Sequence, residues 1–263
     1  MKDEIIENRR VLVLQNGILT ESQVNLVREL PLTIYLDGQE LVTLLCTGQH
    51  PEELAVGFLR SEGILDSWEE VLSLRTDDRG GFVWVELKEK RKLRQELLHK
   101  RTLGAGCGRA SLYYQPLDGI QIKRVGPGPK LSPEKIVELM HQASIRGSLY
   151  KEARATHAAG LASADQLLVF REDIGRHNAV DMIVGHAMKN KIPLEDKILL
   201  TTGRASSEIV LKAARVGIAV VASRSAATAL GVALAENVGM TLLGSVRGGR
   251  LTVYCHRERV SCT

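Results

Sequence analysis

Apolar and polar positions along the chain fall into two regimes. In the first half, short apolar runs at Leu32 to Leu36 and Leu41 to Leu45 flank Asp37-Gly38, a strong hairpin signal. A helix is predicted from Pro51, where proline suits the first turn, to just before Gly63. Leu54, Phe58 and Leu59 form its apolar stripe. A second hairpin spans residues 77–81, with Phe82 to Leu87 as the return strand. Residues 102–131 are loop-rich, and Gly126-Pro127-Gly128-Pro129 marks a domain boundary. A further helix opens at Ser132-Pro133-Glu134, an N-cap followed by proline.

From residue 165 the pattern alternates. Strand-like runs at 167–170, 197–202, 218–223 and 240–243 are separated by helical patterns at about 177–190, 205–215 and 227–238. A last strand covers 252–255. Repeated βα units predict a mostly parallel sheet with helices on both faces. The expected architecture is α/β (α+β overall), with a β-rich domain over 1–128 and an α/β domain over 129–263.

Composition narrows the class. The 263 residues are 44% apolar and 25% charged, which excludes disordered, collagen-like and disulfide-scaffold proteins. Lysine and arginine total 35 against 31 acids, a net charge of +4. That balance does not mark a dedicated nucleic-acid or membrane-surface protein. The basic run from Lys88 to Arg101 reads first as a solvated face, with a landing patch for an anionic partner as the alternative. Cys46, Cys107, Cys255 and Cys262 show no zinc or disulfide spacing. With no apolar leader and no membrane-length run, a reduced, cytoplasmic protein without a bound metal is expected.

Each predicted strand of the second half is followed by arginine, glycine and small hydroxyl residues. Arg171, Asp173, Arg176 and His177 follow the first; Arg204 and Ser206 the second; Arg224 the third. Ser245, Val246, Arg247, Gly248, Gly249 and Arg250 follow the fourth. The carboxyl edge of an α/β sheet is where helix N-termini present free N–H groups, and arginine forks suit phosphate. A phosphate-rich or nucleotide-containing ligand is therefore expected there, although no Walker or dinucleotide fingerprint is present. Zinc deaminase chemistry lacks its cysteine pair. Cys107, between glycines and next but one to Arg109, has the setting of a reactive thiolate. His157 and His177 read as structural or catalytic; a triad of Cys107, a histidine and Asp173 can be written down, but no spacing selects it.

Five segments together resemble the formate dehydrogenase accessory sulfurtransferases, the FdhD family. They are LVTLLCTGQHPEELAVGFLRSEGIL at 41–65, FREDIGRHNAVD at 170–181, TTGRASSEIVLKAARVGI at 201–218, ASRSAAT at 222–228 and LLGSVRGGRLTVY at 242–254. The resemblance implies a cytoplasmic, homodimeric sulfur carrier. It would take persulfide sulfur from a cysteine desulfurase onto Cys107 and pass it to the molybdenum bis(molybdopterin guanine dinucleotide) cofactor before insertion into apo-formate dehydrogenase. It also implies a cytidine-deaminase-like α/β/α second domain and cofactor contacts at 245–250. The chain departs from the family at two places. Gly104 stands where members carry the first cysteine of Cys-x-x-Cys, so sulfur acceptance falls on Cys107. Ser245 stands where an aromatic residue is usual. The alternatives are a non-catalytic cofactor chaperone and a nucleotide hydrolase or deaminase.

Overall fold

The computed structural model describes residues 5–89, 102–103 and 123–261. Its strands and helices run in the order β1 (Ile6–Gln15), β2 (Ile18–Val27), β3 (Leu30–Leu36), β4 (Gln39–Cys46), α1 (Pro51–Ser61), β5 (Val71–Thr76), β6 (Phe82–Leu87) and β7 (Thr102–Leu103). There follow α2 (Pro133–Arg146), α3 (Ser148–Ala153), β8 (His157–Ala162), β9 (Leu167–Asp173), α4 (Arg176–Lys189) and β10 (Ile198–Thr201). The chain continues through α5 (Ser207–Arg215), β11 (Val220–Ser223), α6 (Ala229–Val238), β12 (Thr241–Arg247) and β13 (Arg250–Cys255). Among the described residues no helix is long and apolar enough to cross a membrane.

Three sheets form among the described residues. β1 and β2 form a two-stranded hairpin of their own, and β5-β6-β3-β4-β7 form a five-stranded sheet. The third sheet has the order β13-β12-β11-β10-β8-β9. This sheet is mixed, correcting the mostly parallel expectation. Only β10–β11 and β11–β12 are parallel; β8 runs antiparallel to both β9 and β10, and β13 antiparallel to β12. The reason lies in the connections: β8–β9 and β12–β13 are joined by short turns, which permit only antiparallel pairing, whereas the βα units between β10 and β12 permit crossover.

The six-stranded sheet is covered on both faces. On one, Ile183 and Val184 of α4, Ile209 and Val210 of α5, and Leu234 of α6 pack on Leu161, Leu199, Val221 and Leu242. On the other, Ile136, Leu139 and Met140 of α2 pack on Leu167, Leu200, Val220 and Leu243. α2 begins where its sequence predicts: Ser132 Oγ accepts from Lys135 N at 3.1 Å, and Pro133 occupies the first turn. The five-stranded sheet has its own core, in which Leu54, Phe58 and Leu59 of α1 meet Ile34, Leu44 and Val85.

The two layered units join where α1 crosses α4. The crossing has no room for side chains, since a Cβ on Gly57 would overlap the Asp181 carbonyl and one on Gly185 the Glu53 carbonyl. Charged pairs bracket it. Arg171 donates to both oxygens of Glu53 at 2.6 and 2.9 Å, Lys189 pairs with Glu52, and buried Lys212 binds Asp181 at 2.9 Å and Glu62 at 3.3 Å.

Candidate functional site

The strand directions bring six chain segments to one edge of the mixed sheet. His157 opens β8 opposite Asp173, the last residue of β9. Thr201 closes β10 beside Ser223, which closes β11. Arg247 and Arg250 face each other across Gly248-Gly249 at the β12–β13 turn. The amino ends of α4 and α5 open on the same edge.

Hydroxyl side chains lace this edge together. Thr202 Oγ1 accepts from Ala158 N at 2.8 Å, and Ser225 Oγ donates to the Thr202 carbonyl at 2.9 Å. Ser223 Oγ donates to the Gly203 carbonyl at 2.6 Å and accepts from Ser225 N at 3.0 Å. Ser245 N donates to the Ser225 carbonyl at 2.9 Å from a left-handed backbone (φ 51°), within an irregular β12–β13 register that turns Arg247 outward. The hydroxyls are thus spent on the scaffold, while the arginines are not. Arg204, Arg224, Arg247 and Arg250 are all exposed and make no ion pair among the described residues.

Between this edge and helices α2 and α3 lies a cavity of about 530 Å³, lined by Tyr150, Arg154, His157, Thr202, Arg224 and Arg247. It continues past Arg224 and Arg247 into a second hollow of about 460 Å³ walled by His141, Val246, Gly248 and Gly249. Together they are large enough for a nucleotide-sized ligand. Burial, and then the neighbouring Arg176, His177 and Arg204, hold the His157 imidazole below its ordinary pKa. Burial and Arg204 likewise lower Arg176, whose Nε is buried with no partner among the described residues, as is Ser206 Oγ. Such unfilled donors beside unpaired cations fit an anion.

The expected site residues therefore separate. Arg224, Val246, Arg247, Gly248 and Gly249 line the crevice, and Ser245 and Arg250 flank it. Arg176, Arg204 and Ser206 stand at the neighbouring helix starts. Arg171, Asp173 and His177 are instead occupied inside the fold. Arg171 is held by Glu53 and by His186 at 3.0 Å in the α1–α4 seam. Asp173 accepts four hydrogen bonds, from Thr47 N and Oγ1, Gly175 N and Asn178 Nδ2. His177 Nε2 lies 2.9 Å from Glu208 Oε2, with both side chains buried. Three further residues, Tyr150, Arg154 and Glu172, line the crevice although no functional motif in the sequence singles them out, and it is also lined by His157, whose sequence setting fits a structural or a catalytic role. Glu172 is buried and caps α3, accepting from Leu149 N and Tyr150 N at 3.1 Å each. The strand that positions His157 gives a weak signal because His157-Ala-Ala-Gly-Leu-Ala162 lacks the β-branched and aromatic residues that mark a strand.

Cys107 lies outside the described residues, as does Cys262. The other two cysteines are poor nucleophiles. Burial and the nearby Asp173 carboxylate push the Cys46 thiol up to about 12, and burial raises Cys255.

Fold and site define a class: a mixed α/β protein with a crevice at its sheet edge, lined by arginines that make no ion pair among the described residues. The chain belongs to the FdhD/NarQ family, whose model matches residues 27–261. It is 38% identical over 260 residues to the sulfur carrier protein FdhD of Bacillus subtilis, covering 99% of both chains. It is 36% identical over 263 residues to that of Staphylococcus haemolyticus, covering 100% of both. A crystal structure from Desulfotalea psychrophila, described as that of a candidate formate dehydrogenase accessory protein, superposes with a TM-score of 0.78. It is 24% identical, covering 98% of this chain and 100% of that one, and shares the fold.

Proposed function

We propose that this protein is a sulfur carrier for formate dehydrogenase that acts as a sulfurtransferase in the cytoplasm. In this reading the Cys107 thiolate attacks the outer sulfur of a cysteine desulfurase persulfide. That S–S bond breaks, the desulfurase leaves as its thiolate, and Cys107 carries the new persulfide. The carried sulfur then passes to the molybdenum bis(molybdopterin guanine dinucleotide) cofactor, which is the substrate here and not a resident group, before the cofactor enters apo-formate dehydrogenase. In that transfer the persulfide S–S bond breaks, Cys107 leaves as its thiolate, and the cofactor supplies the two electrons that take the sulfur to sulfide.

The observation that carries the reading is the crevice with its unpaired Arg224 and Arg247, which suits the phosphates of a guanine dinucleotide. The chain's path also supports it. β7 lies parallel to β4, so Leu103, four positions before Cys107 in the sequence, stands toward the end of β4 that Thr47 ties to Asp173. Three residues, Gly104, Ala105 and Gly106, separate Leu103 from Cys107 in the sequence.

The test is intact-protein mass spectrometry with peptide mapping after incubation with a cysteine desulfurase and cysteine. A gain of one reducible sulfur on Cys107, absent from Cys107→Ala, is the expected result. No gain on Cys107, with the desulfurase active on a two-cysteine family member, leaves a cofactor chaperone. In that case Arg247→Ala and Arg250→Ala are crippling and Cys107→Ala is mild.

A further inference from the structure

One wall of the crevice is aromatic. Tyr150 of α3 lines the hollow of about 530 Å³ and is 41% exposed. Its ring stacks on no other aromatic side chain among the described residues. Its backbone, by contrast, is tied on both sides. Tyr150 N donates to Glu172 Oε1 at 3.1 Å, and the Tyr150 carbonyl accepts from Arg154 N at 2.9 Å, where α3 ends in a left-handed residue (Arg154, φ 56°). The other oxygen of Glu172 accepts from Leu149 N at 3.1 Å, and both Glu172 and Leu149 are buried. Gly147 admits this carboxylate, since a Cβ there would stand 2.8 Å from Glu172 Oε1. Glu172 belongs to β9 and pairs with Ala158 of β8, so the six-residue α3 is clamped to the sheet itself. A tyrosine on a fixed backbone has two side-chain torsions left to lose, which makes it a preorganised wall for a flat group.

We infer that Tyr150 is the base-stacking wall of the crevice and that Glu172 is the residue that positions it. The planar base of a nucleotide lies on the Tyr150 ring while its phosphates meet Arg224 and Arg247. This assignment rests on the crevice being the guanine dinucleotide site of the proposed function. Arg224 and Arg247 line both hollows, so a diphosphate at their junction leaves the base one hollow on either side. The first hollow carries the tethered Tyr150 ring. The second is walled by aliphatic Val137, Met140 and Val246 and by the carboxylates of Glu134 and Glu138. The first therefore takes the base. Every base has a π face, so the ring adds affinity for a nucleotide over a bare diphosphate without choosing among bases.

Calorimetry on the full chain with two probes, GDP and inorganic pyrophosphate, tests this, because only GDP carries a base. Tyr150→Leu is expected to weaken GDP about tenfold, Tyr150→Phe to keep the wild-type affinity, and neither to change pyrophosphate. The guanine H8 resonance of bound GDP is expected upfield with the wild type, from the ring current, and not with Tyr150→Leu. Glu172→Gln sets an amide N–H₂ against the α3 amides. It is expected to lose the same factor for GDP alone, with faster hydrogen exchange at 148–153. GDP affinity unchanged in Tyr150→Leu, or equal losses for both probes, overturns the assignment. A loss of GDP affinity in His141→Ala with Tyr150→Leu indifferent puts the base in the second hollow and overturns it as well. A wild type that binds neither probe overturns the crevice reading and this assignment together. Pyrophosphate binding lost in Arg224→Glu, with GDP indifferent to Tyr150→Leu, overturns this assignment alone.

Discussion

Asp173 and Thr47 are tied twice, the Asp173 carboxylate accepting from Thr47 N at 2.8 Å and from Thr47 Oγ1 at 3.0 Å. The other oxygen accepts from Gly175 N and Asn178 Nδ2 at 2.9 and 2.7 Å. One buried side chain thereby fixes the exit of β4, the end of β9 and the first turn of α4. Replacing it by asparagine sets an amide N–H₂ against donors. Asp173→Asn is expected to cost about 2–4 kcal/mol in urea unfolding, and Thr47→Val, which loses one hydroxyl, about 1 kcal/mol.

The unpaired arginines predict the ligand response. Arg224→Glu and Arg247→Glu each replace an attractive charge by a repulsive one in the crevice. Each is expected to weaken GDP binding, measured by calorimetry, at least about tenfold, with unchanged melting temperature. Equal affinity in both variants removes the crevice from ligand binding.

His157 predicts a pH dependence. Its pKa lies below the ordinary 6.5, first through burial and then through Arg176, His177 and Arg204, so the imidazole is neutral at pH 7. A bound phosphate raises that pKa, so binding takes up a proton and affinity rises as pH falls below about 7. In the free protein the sign is the reverse. The neutral histidine's contribution to stability is complete above its unfolded pKa and is lost as pH falls through the window beneath it. GDP calorimetry between pH 5.5 and 8 should show a steeper slope for wild type than for His157→Gln. That difference separates the imidazole from the ligand's own titration. Parallel slopes remove His157 from the linkage.

The buried thiols give a control for sulfur loading. Cys46 and Cys255 are free and buried. Iodoacetamide at pH 8 is expected to leave both unlabelled in the folded protein and to label both in guanidinium, as read by peptide mapping. Labelling of Cys46 in the native state would falsify the view that this thiol cannot accept sulfur.

Local chemistry made much of the fold readable. Asp37-Gly38, Ser132-Pro133 and the apolar runs after residue 165 each write their element into a few neighbouring residues, and those elements are found. Direction and destination are not local. β8 and β13 run against their neighbours because of turn length, and an Ala- and Gly-rich β8 is held in place by Thr202, just past the end of β10. The same limit governs the site. The edge was legible from strand ends, but Arg171 was drawn away by Glu53, a residue 118 positions earlier. His157 became a wall of the crevice only because β8 lies between β9 and β10. Sequence order does not announce such partners.

The Gly57–Gly185 crossing also has a consequence in time. The face of α1 that meets α4 has nothing to pack on until the second glycine, nearly half the chain later, has been synthesised. At about 5–20 residues per second, the first half waits on the order of ten seconds at the ribosome with that face uncovered. Nascent chains halted before α4 are therefore the ones a chaperone should hold, and release should coincide with the emergence of residue 185.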